Sequence, residues 1–263
     1  MSVRTPALLL LAALAAGCTN PLDGGGGPGS KWEDYATGGG VLLVEIDHSP
    51  GAAPSQRMLD AFKRELGELT GKTVDTTMRA ELGSRGATSV YTVDELRELD
   101  DEHQDERDRR DVVVMHALFV DGCIERCPSS SGGGPAGIAF SDDAFAIAMG
   151  AIRDFTCADG SPLCLGEAEE SNAVRAVAIH EAGHLVGLVN LGLPMVTDHE
   201  MDGDPAPNQP GDQGEGHSKN ERSVMWWQVE LSIGLQNLIS RGEQIPHEFD
   251  AQDLQDAAVA RRS

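Results

Sequence analysis

The sequence predicts an α+β domain in which a mixed sheet lies beside helices and the C-terminal part is mostly helical. Three observations carry that expectation. Short β-branched runs alternate with amphipathic segments between residues 41 and 149, one long helical segment follows, and only helical patterns come after it. A chain of 263 residues, 40% hydrophobic and 24% charged, has the composition of a folded protein and the length of one sizeable domain. Aromatic residues are only 4%, so the core must be built from Val, Leu, Ile, Ala and Met. Lys and Arg number 20 against 43 Asp and Glu, a net charge of −23. That field opposes contact with phosphates, so neither a nucleic-acid partner nor adhesion to anionic headgroups is expected.

The N-terminus reads as a targeting segment. Residues 1–17 carry one charge, Arg4, and an apolar run from Ala7 to Ala16. Such a run is too short to cross about 30 Å of hydrocarbon and has the dimensions of a signal peptide. Leu14-Ala15-Ala16-Gly17-Cys18 resembles the lipobox of bacterial lipoproteins, which implies lipidation of Cys18; an ordinary secretory signal with an incidental Cys is the alternative. Residues 18–40 hold four consecutive glycines and suit a flexible tether, leaving 41–263 as the folded domain. Thr19, rather than Asp, after the Cys resembles lipoproteins sent to the outer membrane. The expectation is therefore an exported, lipid-anchored, monomeric protein that meets a membrane only through its lipid.

Within the domain, Val41–Asp47 reads as a buried strand. Residues 54–69 carry Met58, Leu59, Phe62, Leu66 and Leu69 at helical spacing, with Pro54 suited to the first turn and Gly71 just past the end. Lys72–Met78 is a second strand candidate. Thr92–Arg110 starts with a capping residue and mixes acids with bases, the pattern of a solvated helix. Asp111–Val120 is the strongest strand pattern, and Gly137–Met149 a weaker one. Ser171–Val189 is expected to be a helix capped by Ser171 or Asn172, and 194–219 a long polar loop. Val229–Ile239 and Phe249–Arg261 have helical periodicity.

Cys123, Cys127, Cys157 and Cys164 form an even set in an exported chain, so two disulfides are expected, with all three pairings open. A zinc held by the four thiolates is the competing use, disfavoured by loose spacing and oxidising surroundings.

The chemistry concentrates in His180-Glu181-Ala182-Gly183-His184. On a helix, positions i and i+4 share a face, so His180 and His184 can offer two imidazoles to one ion. Two neutral nitrogens leave that ion Lewis-acidic, and Glu181 stands close enough to deprotonate a water bound to it.

His180-Glu181-Ala182-Gly183-His184-Leu185-Val186-Gly187 is similar to the metzincin metalloproteases, whose stretch bends at the Gly to present a third His. Here Asn190 occupies the next ligand position. Downstream, His217-Ser218 and Ser223-Val224-Met225 match the archaemetzincin spacing, in which the third His lies eight residues before the Met-turn methionine. The chain thus resembles an archaemetzincin-like or matrixin-like domain with a long insertion. The resemblance implies a zincin-type mixed sheet with an active-site helix, zinc held by His180, His184 and His217, Glu181 as general base and Met225 beneath the ligands. It also implies a zinc endopeptidase acting on a protein or peptide, with the strand before the active-site helix pairing with the substrate. His199 is the alternative third ligand, and Asp198 or Asp202 lesser ones. A zincin with a Glu ligand, for which Glu230 is best placed, is the competing enzyme. Trp227 stands where some metzincins place a Tyr, but its N–H can only donate. Ser218 and Ser223 replace cysteines that hold a second zinc in archaemetzincins, which implies that this zinc is absent. A non-catalytic metal-binding lipoprotein on a degenerate fold is the alternative function. Six carboxylates between Asp198 and Glu215 raise calcium binding as a further expectation, against a solvated loop.

Overall fold

The computed structural model describes residues 31–80, 82–127, 134–157, 167–201 and 216–262, without the side chains of 155–157. The lipobox with Cys18, the thiols of Cys157 and Cys164, and most of the acidic loop lie outside the described residues. Among those described, no helix is long and apolar enough to cross a membrane.

The sheet has five strands in the order β2-β1-β4-β7-β6. β1 (Val41–His48) runs parallel to β2 (Thr73–Arg79) and to β4 (Val112–Val120), and β4 runs parallel to β7 (Ala144–Ala148). Only the edge strand β6 (Gly137–Ala139) is antiparallel. β1 and β4 are buried along nearly their whole length, which requires cover on both faces and explains their unbroken apolar runs. One face packs Leu42, Val44, Ile46 and Met115 into the main core with α2 (Gln56–Thr70) and α5 (Glu167–Val186). The other turns Leu118, Val120 and Ala146 to a second core that includes Leu96 of α3 (Val93–His103). Glu45, buried on this second side, accepts the N–H groups of Asp105 and Glu106 and pairs with Arg79.

Several boundaries differ from the sequence reading. α2 is capped by Ser55, whose hydroxyl accepts the Met58 N–H, so Pro54 lies before the cap. Gly71 ends the helix at φ 71°, as its position suggested. α3 opens with a capping box between Thr92 and Glu95 but stops at His103, because residues 104–110 supply no apolar side chain to keep it packed. The expected strand 137–149 is a hairpin: the Ser141 hydroxyl accepts the Asp143 and Ala144 N–H groups and turns the chain between β6 and β7. α4 (Met149–Cys157) follows at once. α5 begins at Glu167, which puts Ser171 and Asn172 inside it rather than at its cap. The helix expected from Val229 starts at Ser232 as α6 (Ser232–Ser240), after a 3₁₀ turn over Trp227–Val229. α7 (Ala251–Ala260) opens with a capping box of Asp250 and Asp253. The short α1 (Trp32–Ala36) and the two-stranded sheet of β3 (Val90–Tyr91) and β5 (Cys123–Ile124) were not anticipated. Of the three pairings open to the cysteines, Cys123 is bonded to Cys127.

Candidate metal centre

α5 is buried on every side from Ala176 to Val186, packed among α1, α2, α4 and the sheet edge. A helix enclosed in this way lacks a polar face, so its few titratable side chains face one another or a cleft. His180, Glu181 and His184 are all at least nine-tenths buried. Gly187, at φ 86°, ends the helix, and Val189 and Asn190 continue in the left-handed region. Asn190 is exposed and donates to Glu200, away from the histidines.

The third imidazole arrives from the far side of the insertion. The backbones of 199–201 and 217–219 pair antiparallel, with the Met201 N–H on the His217 carbonyl and the Lys219 N–H on the His199 carbonyl. The Ser218 N–H then bonds the Met225 carbonyl and closes a tight loop. Within that loop the Val224 carbonyl accepts from His180 Nδ1 at 2.7 Å, which turns the lone pair of Nε2 inward. Met225 is fully buried beneath the helix; a Cβ at Gly183 would lie 2.4 Å from its sulfur, so a larger residue at that turn would displace the Met225 side chain.

The ring centroids of His180, His184 and His217 are 4.6, 5.3 and 5.1 Å apart. His180 Nε2 and His184 Nε2 approach to 3.0 Å. Glu230 Oε2 lies 3.1 Å from His217 Nε2 and 3.9 Å from His180 Nε2. All four donor atoms fall within 4.8 Å of one another. Burial, then the neighbouring His217, lowers His180 to about 4. Burial together with His180 and His217 holds His184 well below the usual imidazole range. The two helix imidazoles are therefore neutral at physiological pH, and the inward lone pair of His180 Nε2 can meet either a proton on His184 Nε2 or a cation shared by the two rings. This donor set and spacing fit zinc.

Glu181 is buried beside the cluster, with Oε1 lacking a hydrogen-bond partner among the described residues. Burial and then the charge of Glu230 raise its pKa well above the carboxylate range, against the pull of the Ala139 N–H. Gly137 of β6 passes so close that a Cβ there would lie 2.7 Å from Glu181 Oε1.

The structure thus brings together His180, His184, His217 and Glu181, and adds Glu230, which sequence reasoning held only as the Glu ligand of a competing scheme. The available signal was its place five residues after Met225. His199 points elsewhere: its Nε2 faces Asp253 and Asp256. Asp198 is exposed and near Lys219, and Asp202 lies outside the described residues. Ser218 accepts the Asn220 N–H, and Ser223 donates to Asp253. Trp227 packs edge-on against Trp226.

No protein-family model matches this chain, and no curated protein matches it. Among solved structures it is similar to archaemetzincin from Methanopyrus kandleri, at 14% identity and a TM-score of 0.43, over 86% of this chain and 96% of that one.

Proposed function

We propose that this chain is a zinc-dependent endopeptidase tethered to a membrane by lipid on Cys18. The observation that carries the reading is the convergence of His180, His184, His217 and Glu230, with an unpartnered Glu181 oxygen one residue from the first imidazole. Zinc, when bound there, lowers the pKa of a coordinated water and polarises a substrate carbonyl. Glu181 is the general base: burial makes it a stronger proton acceptor than an exposed carboxylate, a rise that the Ala139 N–H only partly offsets. It takes the proton at Oε1 as the peptide bond is attacked and returns it to the leaving amine. Val224 keeps His180 in the tautomer that presents Nε2, and Met225 supports the helix under the ligands. The edge strand β6, beside Glu181, is the candidate to hold an extended peptide by strand addition.

A second reading is favoured by Glu230. Four protein donors close a tetrahedral site, the arrangement of a structural rather than a catalytic ion. The chain would then be a non-catalytic metal-binding surface lipoprotein. Incubating purified protein with casein and a peptide library separates the two. Chelator-sensitive cleavage that disappears in Glu181→Gln, with zinc still bound, is the expected result. Retained zinc with no cleavage of any peptide by the unsubstituted protein would decide for the binding module.

A further inference from the structure

Glu230 reaches the histidines from a segment that also covers part of the sheet edge. Residues 134–136 run directly into β6, and 230–232 pair with them antiparallel through a bridge between Pro135 and Leu231. The Ala136 N–H donates to the Glu230 carbonyl at 2.7 Å, and the Ser232 N–H donates to the Gly134 carbonyl at 3.1 Å. The buried Ser232 hydroxyl adds a bond of 2.8 Å to the same Gly134 carbonyl and accepts the Gly134 N–H at 3.1 Å. Residues 230–232 thus lie as an added strand against the chain that leads into β6. From this segment the Glu230 carboxylate reaches His217 Nε2 at 3.1 Å, and it lies within 4.8 Å of the other two imidazole donors.

A peptide bound for hydrolysis needs both of these places. An open zinc site keeps its fourth position for water or substrate, and Glu230 stands beside the three imidazoles as a fourth donor. Strand addition needs free N–H and C=O groups along an edge, whereas the Ala136 N–H and the Gly134 carbonyl are already taken by 230–232. The hold is local. A 3₁₀ turn over Trp227–Val229 precedes the segment, and α6 follows it with no side-chain cap at Leu231. Glu230 and Leu231 are only partly buried, and the Glu230 side chain keeps 27% of its surface open to solvent. It can therefore leave the histidines by a local opening that unpacks neither core.

We propose that residues 230–232 are an autoinhibitory strap: Glu230 fills the fourth metal position, the backbone beside it covers the adjoining sheet edge, and a substrate peptide must displace both. The two contacts lie on consecutive residues, so release of one loosens the other. A protein held mostly closed loses apparent affinity in proportion to its open fraction; an open form at about one part in ten weakens a ligand about tenfold. In the non-catalytic reading, by contrast, Glu230 is an obligatory ligand that never leaves. The inference rests on the metal-binding part of the proposed function and not on peptide hydrolysis.

Cobalt(II), loaded on the full chain in place of zinc, has visible absorption bands that read the binding of two probes. Acetohydroxamate needs only the metal, whereas a peptidyl hydroxamate needs the sheet edge as well. Glu230→Ala should tighten both by about tenfold or more. Ser232→Ala, which loosens the strap and leaves all four donors in place, should tighten the peptidyl probe about two- to tenfold, the worth of one hydrogen bond. Equal acetohydroxamate affinity in the unsubstituted protein and Glu230→Ala, with cobalt bound to both, overturns the strap and leaves the metal centre standing. So does a peptidyl affinity unmoved by Ser232→Ala. Loss of cobalt from folded Glu230→Ala overturns it too, since Glu230 would then be an obligatory ligand. No cobalt on the unsubstituted protein would remove strap and metal centre together. Tightened probes with no peptide cleaved by any variant would support the strap and remove the peptidase.

Discussion

Gly137→Ala tests whether Glu181 acts as base from its observed position. Gly137 is not in the left-handed region, so Ala is acceptable to the backbone and only space is at issue. An added Cβ would lie 2.5 Å from Val177 Cγ1, 2.7 Å from Glu181 Oε1 and 2.9 Å from Glu181 Cγ. Carbon atoms prefer about 3.5–4.0 Å, so the overlap with Val177 is about 1 Å. Val177 is β-branched and fixed in the most enclosed helix, and so yields little. The Glu181 carboxylate is the softer neighbour, since Oε1 has no described hydrogen bond to lose.

Overpacking costs about 1–3 kcal/mol, and replacing a strand Gly recovers about 0.5–1 kcal/mol of backbone entropy. The net destabilisation is therefore at most about 2.5 kcal/mol, too little to unfold a domain of ordinary stability. A base displaced by about 1 Å costs on the order of 100-fold in rate. No zinc donor touches the new methyl, so metal content should stay at the wild-type value. Urea unfolding, zinc analysis and kcat/KM on a fluorogenic peptide measure the three effects together. Peptidase activity within a few-fold of wild type, in a folded and zinc-loaded variant, would refute the assignment of Glu181 as base.

Two further outcomes follow from other residues. Glu230→Gln should keep zinc on the three imidazoles while weakening it about 10–100-fold, and peptidase activity should survive; complete zinc loss, with His217→Ala retaining the ion, would make Glu230 the third ligand. His116, buried on β4 between Asp47 at 3.1 Å and Asp100 at 2.6 Å, should impose a pH dependence on stability. Burial alone would depress it, but the hydrogen bonds and charges of the two carboxylates prevail and raise it to about 9. A raised imidazole stabilises fully below its unfolded value of about 6.5, and the contribution fades as pH climbs through 9. Urea denaturation between pH 6 and pH 9.5 should show a loss to which His116 contributes roughly 3 kcal/mol, smaller by that amount in His116→Gln, since His199, also raised to about 9, titrates over the same window; an unchanged slope in that variant would place the titration elsewhere.

Local patterns were legible where one physical requirement dominates. The buried strands β1 and β4, the Gly71 terminus and the Thr92 cap each follow from burial or from end-group hydrogen bonding, which act within a few residues. His180, Glu181 and His184 share one helix, so their spacing alone places them together. Boundaries failed where tertiary contacts decide them. Pro54 suits a first turn by propensity, yet Ser55 takes the cap because its hydroxyl reaches Met58. The 137–149 segment is apolar at both ends, and only the Ser141 turn shows that it reverses. Glu230 and the burial of His199 could not be read from spacing, since both depend on how the chain returns after the insertion.

That return explains how the stretch between residues 201 and 216 is compatible with the close approach of His217 to His180 and His184. The position of His217 owes nothing to the length of the chain between Met201 and Gly216. It is set by backbone bonds to Met201 and His199, by the closure of Ser218 onto Met225, and by Val224 reaching His180 from the same loop. Loop-closure entropy rises only by about 0.6 kcal/mol per doubling of length, so a long excursion is inexpensive once its two ends are paired. Shortening the segment between residues 202 and 215 should therefore leave metal affinity nearly unchanged, whereas breaking the 199–201 pairing should not. His217 is positioned by the pairing of 199–201 with 217–219 and by the closure onto Met225, not by residues 202–215.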